Sequence, residues 1–238
     1  MSSTEPTSAR IWLIRHAQAS FGAENYDALS KRGHEQAERL AAWLLSHPDL
    51  NFAHVCRGSL QRHRETLAAI ADAFQKANRA LPEIHQDADW NEFDHDAIVR
   101  AYATTHSDDL VQAVVADPSN RRAVHGLLAA ALSAWSRREL DNLLAEPWDA
   151  FTTRVARARE RIMKLRGKVL TISSAGPIAR CAQAALGCND EKTVSLNIGL
   201  RNTAISEFRS REGGWDMQIW NMLPHLSAPG DHEVVTYY

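Results

Sequence analysis

Ile11-Trp12-Leu13-Ile14 is an unbroken apolar run of strand length, and it stops at a polar pair, Arg15-His16. An apolar run of this length without alternation reads as a strand covered on both faces, the pattern of a parallel sheet. Lys168–Ser173 (KVLTIS) is a second such run. It leads into Ser174-Ala175-Gly176-Pro177 and an apolar helix, Ile178–Leu186, that Gly187 can end. Two buried strands of this kind at opposite ends of a chain must be joined by crossovers, which restricts the fold class.

The intervening sequence supplies helices for those crossovers. Ala37, Leu40, Ala41, Leu44 and Leu45 recur at helical spacing behind a Ser30 N-cap, and His47-Pro48 stops the run. Phe52–Cys56 reads as a short strand. Ser59 is placed to cap the helix that follows, with Leu60, Leu67, Ile70 and Phe74 on one face. Pro82–Gln86 reads as a third strand. From Asp94 to Arg166 the pattern is almost wholly helical. Thr203–Phe208 and Trp215–Trp220 alternate as strands around a Gly213-Gly214 turn. This order predicts a three-layer α/β/α fold with a mainly parallel sheet. One domain is expected over residues 9–238, with a helical insert over about 97–166, and residues 1–8 are expected to be disordered.

Composition narrows the function. The 45% hydrophobic and 24% charged residues are ordinary for a globular protein, and a net charge of −2 gives no reason to expect nucleic-acid binding. No apolar run is long enough to span a bilayer, so no membrane association is expected. Cys56, Cys181 and Cys188 form no CxxC pair, and the polar N-terminus lacks a signal-peptide core. Reduced thiols and a cytoplasmic location are the expectation. The eleven histidines show no HExxH or Cys/His spacing, and no metal or cofactor is expected.

In open α/β sheets ligands bind beyond the carboxyl ends of the strands. There the sequence places Arg15 and His16, Arg62 in the first turn of a helix, and the Ser174-Ala175-Gly176 helix start. Helix N-termini and arginines together suit a phosphate.

These segments resemble the motifs of the histidine phosphatases, the phosphoglycerate mutase-like superfamily. IRHAQ (14–18) resembles that family's Arg-His-Gly motif. Tyr26-Asp27-Ala28-Leu29-Ser30 with Gly33, Gln36 and Ala37 is similar to its Leu, Gly and Gln-Ala segment. GSLQRHRET (58–66) resembles the second, arginine-bearing motif, and WNEFDH (90–95) the segment holding the acid. VLTISSAGPIAR (169–180) is similar to the strand and turn that usually carry a second histidine, and Asn202-Thr203 to the Asn before the next strand. The resemblance runs in order from about residue 11 to about 222, and the helical insert carries no motif.

The resemblance implies a phosphatase that hydrolyses a phosphomonoester, on a small molecule or a phosphoprotein, through phosphohistidine on His16. Arg15, Arg62, Ser174 and Ala175 would bind the phosphate. Glu92 would act as the acid, with Asp94 the alternative. Two positions depart from the pattern: Ala17 replaces the usual Gly, and Ser174 the usual second His. Ser174 also reads as a plain helix N-cap. His63 or His225 could supply the missing imidazole. These departures motivate a second reading, a weakened phosphatase-like protein that binds a phosphorylated ligand. A mutase is the less expected function, because no further basic cluster accompanies the motifs.

Overall fold

The computed structural model describes residues 8–20, 27–211 and 214–237. Residues 1–7 of the expected disordered terminus, Tyr26 of the motif and Gly213 of the expected turn lie outside the described residues.

A mixed sheet of six strands organises the described chain, in the order β3-β2-β4-β1-β5-β6. The first four in that order, β3 (Ile84–Gln86), β2 (His54–Arg57), β4 (Gly167–Ser173) and β1 (Ala9–Arg15), are parallel. The hairpin of β5 (Ile205–Arg211) and β6 (Gly214–Met222) adds the antiparallel edge. The apolar run at 11–14 thus lies in an interior strand, paired on both sides, as its unbroken pattern predicts.

Alternate residues of β1 point to opposite faces, and each face has its own core. Ile11 and Leu13 pack with Leu127, Phe151 and Ile178. Trp12 and Ile14 pack with Leu40, Leu44 and Ile70. The second face is covered by α1 (Lys31–Leu45) and α2 (Gln61–Lys76). On the first side lie α3 (His95–Thr105), α4 (Asp109–Ala116), α5 (Arg121–Ser136), α6 (Trp148–Met163), α7 (Ala175–Leu186) and α8 (Asp190–Gly199): α6 and α7 lie against the strands, α8 packs on α7 and α5, and α3 and α4 pack on α5. This is a three-layer α/β/α fold. The long helical stretch resolves into α3 to α6, all between β3 and β4.

A carboxylate is buried within the sheet. Glu207 on β5 is 2% exposed. Its carboxylate accepts hydrogen bonds from Arg10 and from Trp12 Nε1 across the β1–β5 pair, so the charge is paired as well as buried.

Local expectations hold and fail for identifiable reasons. Ser30 caps α1, its side chain accepting from Gly33 N at 3.0 Å, and Gly187 ends α7 with φ +64°. Ser59 does not cap α2. The N-cap is Leu60, and the Asp27 carboxylate reaches across from another segment to accept from Gln61 N at 2.6 Å. Thr203 lies before β5 rather than in it, with φ +59°. α8 went unread because its apolar residues do not form a stripe.

An aromatic cluster fastens the α3–α6 layer to the loop beside the site. Trp135 lies 4.8 Å from Phe93 and 4.9 Å from Trp148, centroid to centroid. Phe93 is the neighbour of Glu92. Trp135 is fully buried, and Trp135→Ala is expected to cost about 3–5 kcal/mol in urea unfolding. A loss below about 1 kcal/mol would mean that the cluster does not hold the layer in place.

Candidate active site

Beyond the carboxyl ends of β1, β2 and β4 the structure gathers side chains from four segments. β1 ends at Arg15, in register with Ser173 of β4, and His16 N donates to Ser173 O at 2.9 Å. Arg15 and His16 are buried, 8% and 6% exposed. The Arg15 guanidinium donates to the Leu200 carbonyl.

The backbone around His16 is tied down on three sides. Thr203 N donates to the carbonyls of Arg15 and His16, and Asn202 Nδ2 to that of His16 at 3.1 Å. Thr203 is a β-branched residue in the left-handed region, a cost of order 1–3 kcal/mol that the surrounding bonds sustain. Ala17 N donates to Thr66 Oγ1, which in turn donates to the Arg62 carbonyl. Gln18 N donates to Gln36 Oε1. Gly33 permits this approach, because a Cβ there would stand 2.1 Å from Gln18 O. Gly33, Gln36, Thr66 and Asn202 are all motif residues, and each proves to hold the segment bearing His16.

His16 Nδ1 lies 2.7 Å from the Ala17 carbonyl. A carbonyl can only accept, so Nδ1 carries the proton and Nε2 keeps its lone pair. Burial, reinforced by the positive charges of Arg62 and Arg15, holds the imidazole pKa well below the usual 6.5. The ring is therefore neutral at physiological pH.

The first turn of α2 brings Arg62 and His63. Arg62 is buried, and its Nη1 donates to Asp27 Oδ1 at 2.7 Å. Asp27 thus both caps α2 and orients the arginine. Its role was not readable, since the capping residue lies 34 positions away from Gln61 in sequence. His63 is fully buried, with its ring centroid 5.5 Å from that of His16. Its Nε2 lies 2.7 Å from Ser174 Oγ. Burial and the charges of Arg62 and Arg57 depress its pKa too. Of the two histidines considered as substitutes, His63 stands in the cluster. His225 instead bonds Thr203 Oγ1 at 2.8 Å.

α7 supplies the third part. Ser174 sits at its N-cap position, but its side chain makes no capping bond and turns to His63. Ala175 opens the helix, where the first N–H groups have no partner within it. The N–H of Gly176 meets both Glu92 oxygens, at 3.1 and 3.2 Å. Gly176 is required there, since a Cβ would lie 2.3 Å from Glu92 Oε1. Glu92 is therefore at the helix start. Asp94 is exposed and caps α3 by accepting from Ala97 N. Ala17, the other departure, is fully buried and packs with Leu29 and Ala37. It is not among the residues of positive φ, so an alanine is accommodated there.

Sequence and fold comparisons agree on where this arrangement belongs. The family model of the histidine phosphatase superfamily (branch 1) matches residues 11–223. The chain belongs to that superfamily. A phosphoglycerate mutase from Bacillus anthracis str. Sterne has the same fold, with TM-score 0.62 at 15% identity, over 94% of this chain and 97% of that one. The alpha-ribazole phosphatase from Shigella flexneri aligns with TM-score 0.56 at 19% identity, over 90% and 96%. A phosphoserine phosphatase from Entamoeba histolytica, solved with phosphoserine, aligns with TM-score 0.56 at 15% identity, over 92% and 99%. No curated protein sequence matches the chain. Among the described residues, no group of three His, Cys, Asp or Glu side chains is arranged to hold a metal ion, and no helix is long and apolar enough to cross a membrane.

In this member of the superfamily, the buried imidazoles couple folding to pH. His16 and His63 have pKa values well below 6.5. His225 is lowered to about 4, by burial and then by Arg39. Below pH 6.5 the unfolded chain takes up protons that the folded state does not, so stability is expected to fall as pH drops from about 6.5 towards 4. Urea midpoints at pH 7, 6 and 5 should decline in that order. Midpoints that stay level or rise would contradict the neutral, buried state of these rings.

Proposed function

We propose that the protein is a phosphatase that hydrolyses a phosphomonoester through a phosphohistidine on His16. The observation that carries the reading is the Nδ1 contact of His16 with the Ala17 carbonyl, which leaves Nε2 a neutral lone pair on a ring that feels the charges of Arg62 and Arg15. Nε2 attacks phosphorus and the bond to the leaving oxygen breaks. Arg15, Arg62, the Ser174 hydroxyl and the N–H of Ala175 stabilise the non-bridging oxygens. Glu92 in its acid form gives its proton to the leaving alkoxide. The resulting carboxylate then takes a proton from water. That water attacks phosphorus, the P–N bond breaks, and inorganic phosphate and free His16 remain.

The substrate class is a phosphorylated small molecule or a phosphoprotein. The three cysteines are free, which suits a reducing compartment such as the cytoplasm. The second reading, a binder with little turnover, rests on Ser174 in place of histidine. The two readings separate on labelling: an enzyme of this kind acquires acid-labile phosphate on His16 from a radioactive phosphodonor, and a binder does not.

His16→Ala is expected to lower turnover of p-nitrophenyl phosphate by about a thousandfold or more, and equal rates would remove His16 as the nucleophile. Glu92→Gln is expected to slow hydrolysis of an alkyl phosphomonoester by about 10²–10⁴-fold. The loss on p-nitrophenyl phosphate should be much smaller, because nitrophenolate leaves without a proton. Both losses are read as kcat/KM, which reports the phosphorylation step and not the later attack of water, and equal losses there would show that Glu92 is not the acid.

A further inference from the structure

We propose that His63 is a positioning residue that acts through Ser174, so that an imidazole on α2 orients the hydroxyl that stands where the family's second histidine would be. The inference rests on the phosphatase reading above, and three independent features of the chain carry it.

The first is the contact itself. His63 Nε2 and Ser174 Oγ are 2.7 Å apart, both residues are fully buried, and they are 111 positions apart in sequence. Ser174 gives up the local capping bond that a serine at an N-cap position ordinarily makes. The second is the proton inventory. His63 Nδ1 is buried without a hydrogen-bond partner. An orphaned buried N–H is rarer and more costly than a bare acceptor, so the proton sits on Nε2 and is donated to Ser174 Oγ. With that lone pair engaged, the single Ser174 O–H is free to donate outward, to a phosphoryl oxygen. The third is space. A Cβ on Gly58 would stand 2.2 Å from His63 Nδ1. Gly58 is not at positive φ, so the room it leaves, not a backbone conformation, is what a glycine provides there.

The hydrogen bonds then run from His63 Nε2–H to Ser174 Oγ, and from Ser174 O–H to phosphate. No proton changes owner. A hydroxyl so polarised donates more strongly than an isolated one. It also has one orientation rather than three.

The test is a double-mutant cycle read as kcat and KM on p-nitrophenyl phosphate, together with the Kd of orthovanadate by calorimetry. His63→Ala and Ser174→Ala are each expected to lower kcat about tenfold or more, with KM little changed. The double variant should be no worse than the poorer single one. In the His63→Ala background, Ser174→His is expected to recover most of the loss, by returning an imidazole to α7. Gly58→Ala, which leaves both side chains in place but crowds the ring, should reproduce part of the His63→Ala loss. Losses that multiply in the double variant would overturn the relay, and so would a His63→Ala protein with unchanged kcat. Should His63→Ala fail to fold, His63→Gln, which keeps an N–H donor, and Gly58→Ala carry the cycle. A folded His63→Gln that loses as much as Ser174→Ala would count against the relay. Wild-type protein that neither labels on His16 nor turns over would sink the phosphatase reading alone. Vanadate affinity then decides: loss in both single variants without further loss in the double supports the relay, and unchanged affinity overturns it.

Discussion

β1 and β4 pair in parallel from Ala9 opposite Gly167 to Arg15 opposite Ser173, and the bond from His16 N to Ser173 O extends the pairing one step past the strand. That alignment puts two adjacent residues, His16 and Ser174, at the same level of the sheet edge. A slip of one residue would exchange the faces of Ile11, Trp12, Leu13 and Ile14. Those residues fill two separate cores, so the hydrophobic cores fix the register. The geometry of the candidate site is a consequence of packing far from it. The paired Glu207, Arg10 and Trp12 lock the other side of β1 to β5, so the strand is held from both edges.

What periodicity encodes could be read before the structure: the buried strands, the amphipathic α1 and α2, and the helical stretch that packs over one face. The strand ends and the helix starts after them mark Arg15, His16, Arg62 and Ser174 as candidates, because polar residues that follow a buried strand are conspicuous. What could not be read depends on contacts distant in sequence. Asp27 caps α2 and pairs Arg62 from a separate segment, so the nearer Ser59 drew the capping assignment. Thr203 fits an alternating strand pattern, but its φ is set by the carbonyls of Arg15 and His16 that its N–H must reach. Between Asp94 and Glu92, two positions apart, only the resemblance favours Glu92, and nothing in the local sequence separates them. Only the fold shows that one caps α3 in the open while the other meets α7 at Gly176.

The charge balance of the site follows from burial. Two arginines alone would repel each other and protonated histidines. Asp27 answers Arg62, and desolvation keeps His16 and His63 neutral. A neutral His16 is what a phosphorus nucleophile must be, whereas the arginines stay charged at any accessible pH. On the proposed reading the same burial underlies both the nucleophilicity of His16 and the acid sensitivity of the fold, since a proton that would silence His16 also penalises the folded state.

On the proposed reading, a serine rather than a histidine at the start of α7 need not remove an imidazole from the site. A phosphate held at the ends of β1 and β4 is within reach of the start of α7 and of the first turn of α2, because both helices begin at the same sheet edge. A side chain on either can approach from its own side. Entry from α2 requires a space beside the ring and a small polar residue to bridge the remaining gap. Gly58 provides the first and Ser174 the second. An alanine or a valine at 174 would leave His63 Nε2–H buried with no acceptor, a cost of about 1–3 kcal/mol. A serine avoids that cost. The serine that looks like a lesion when the turn is considered alone is, in the folded chain, the acceptor that a buried histidine needs.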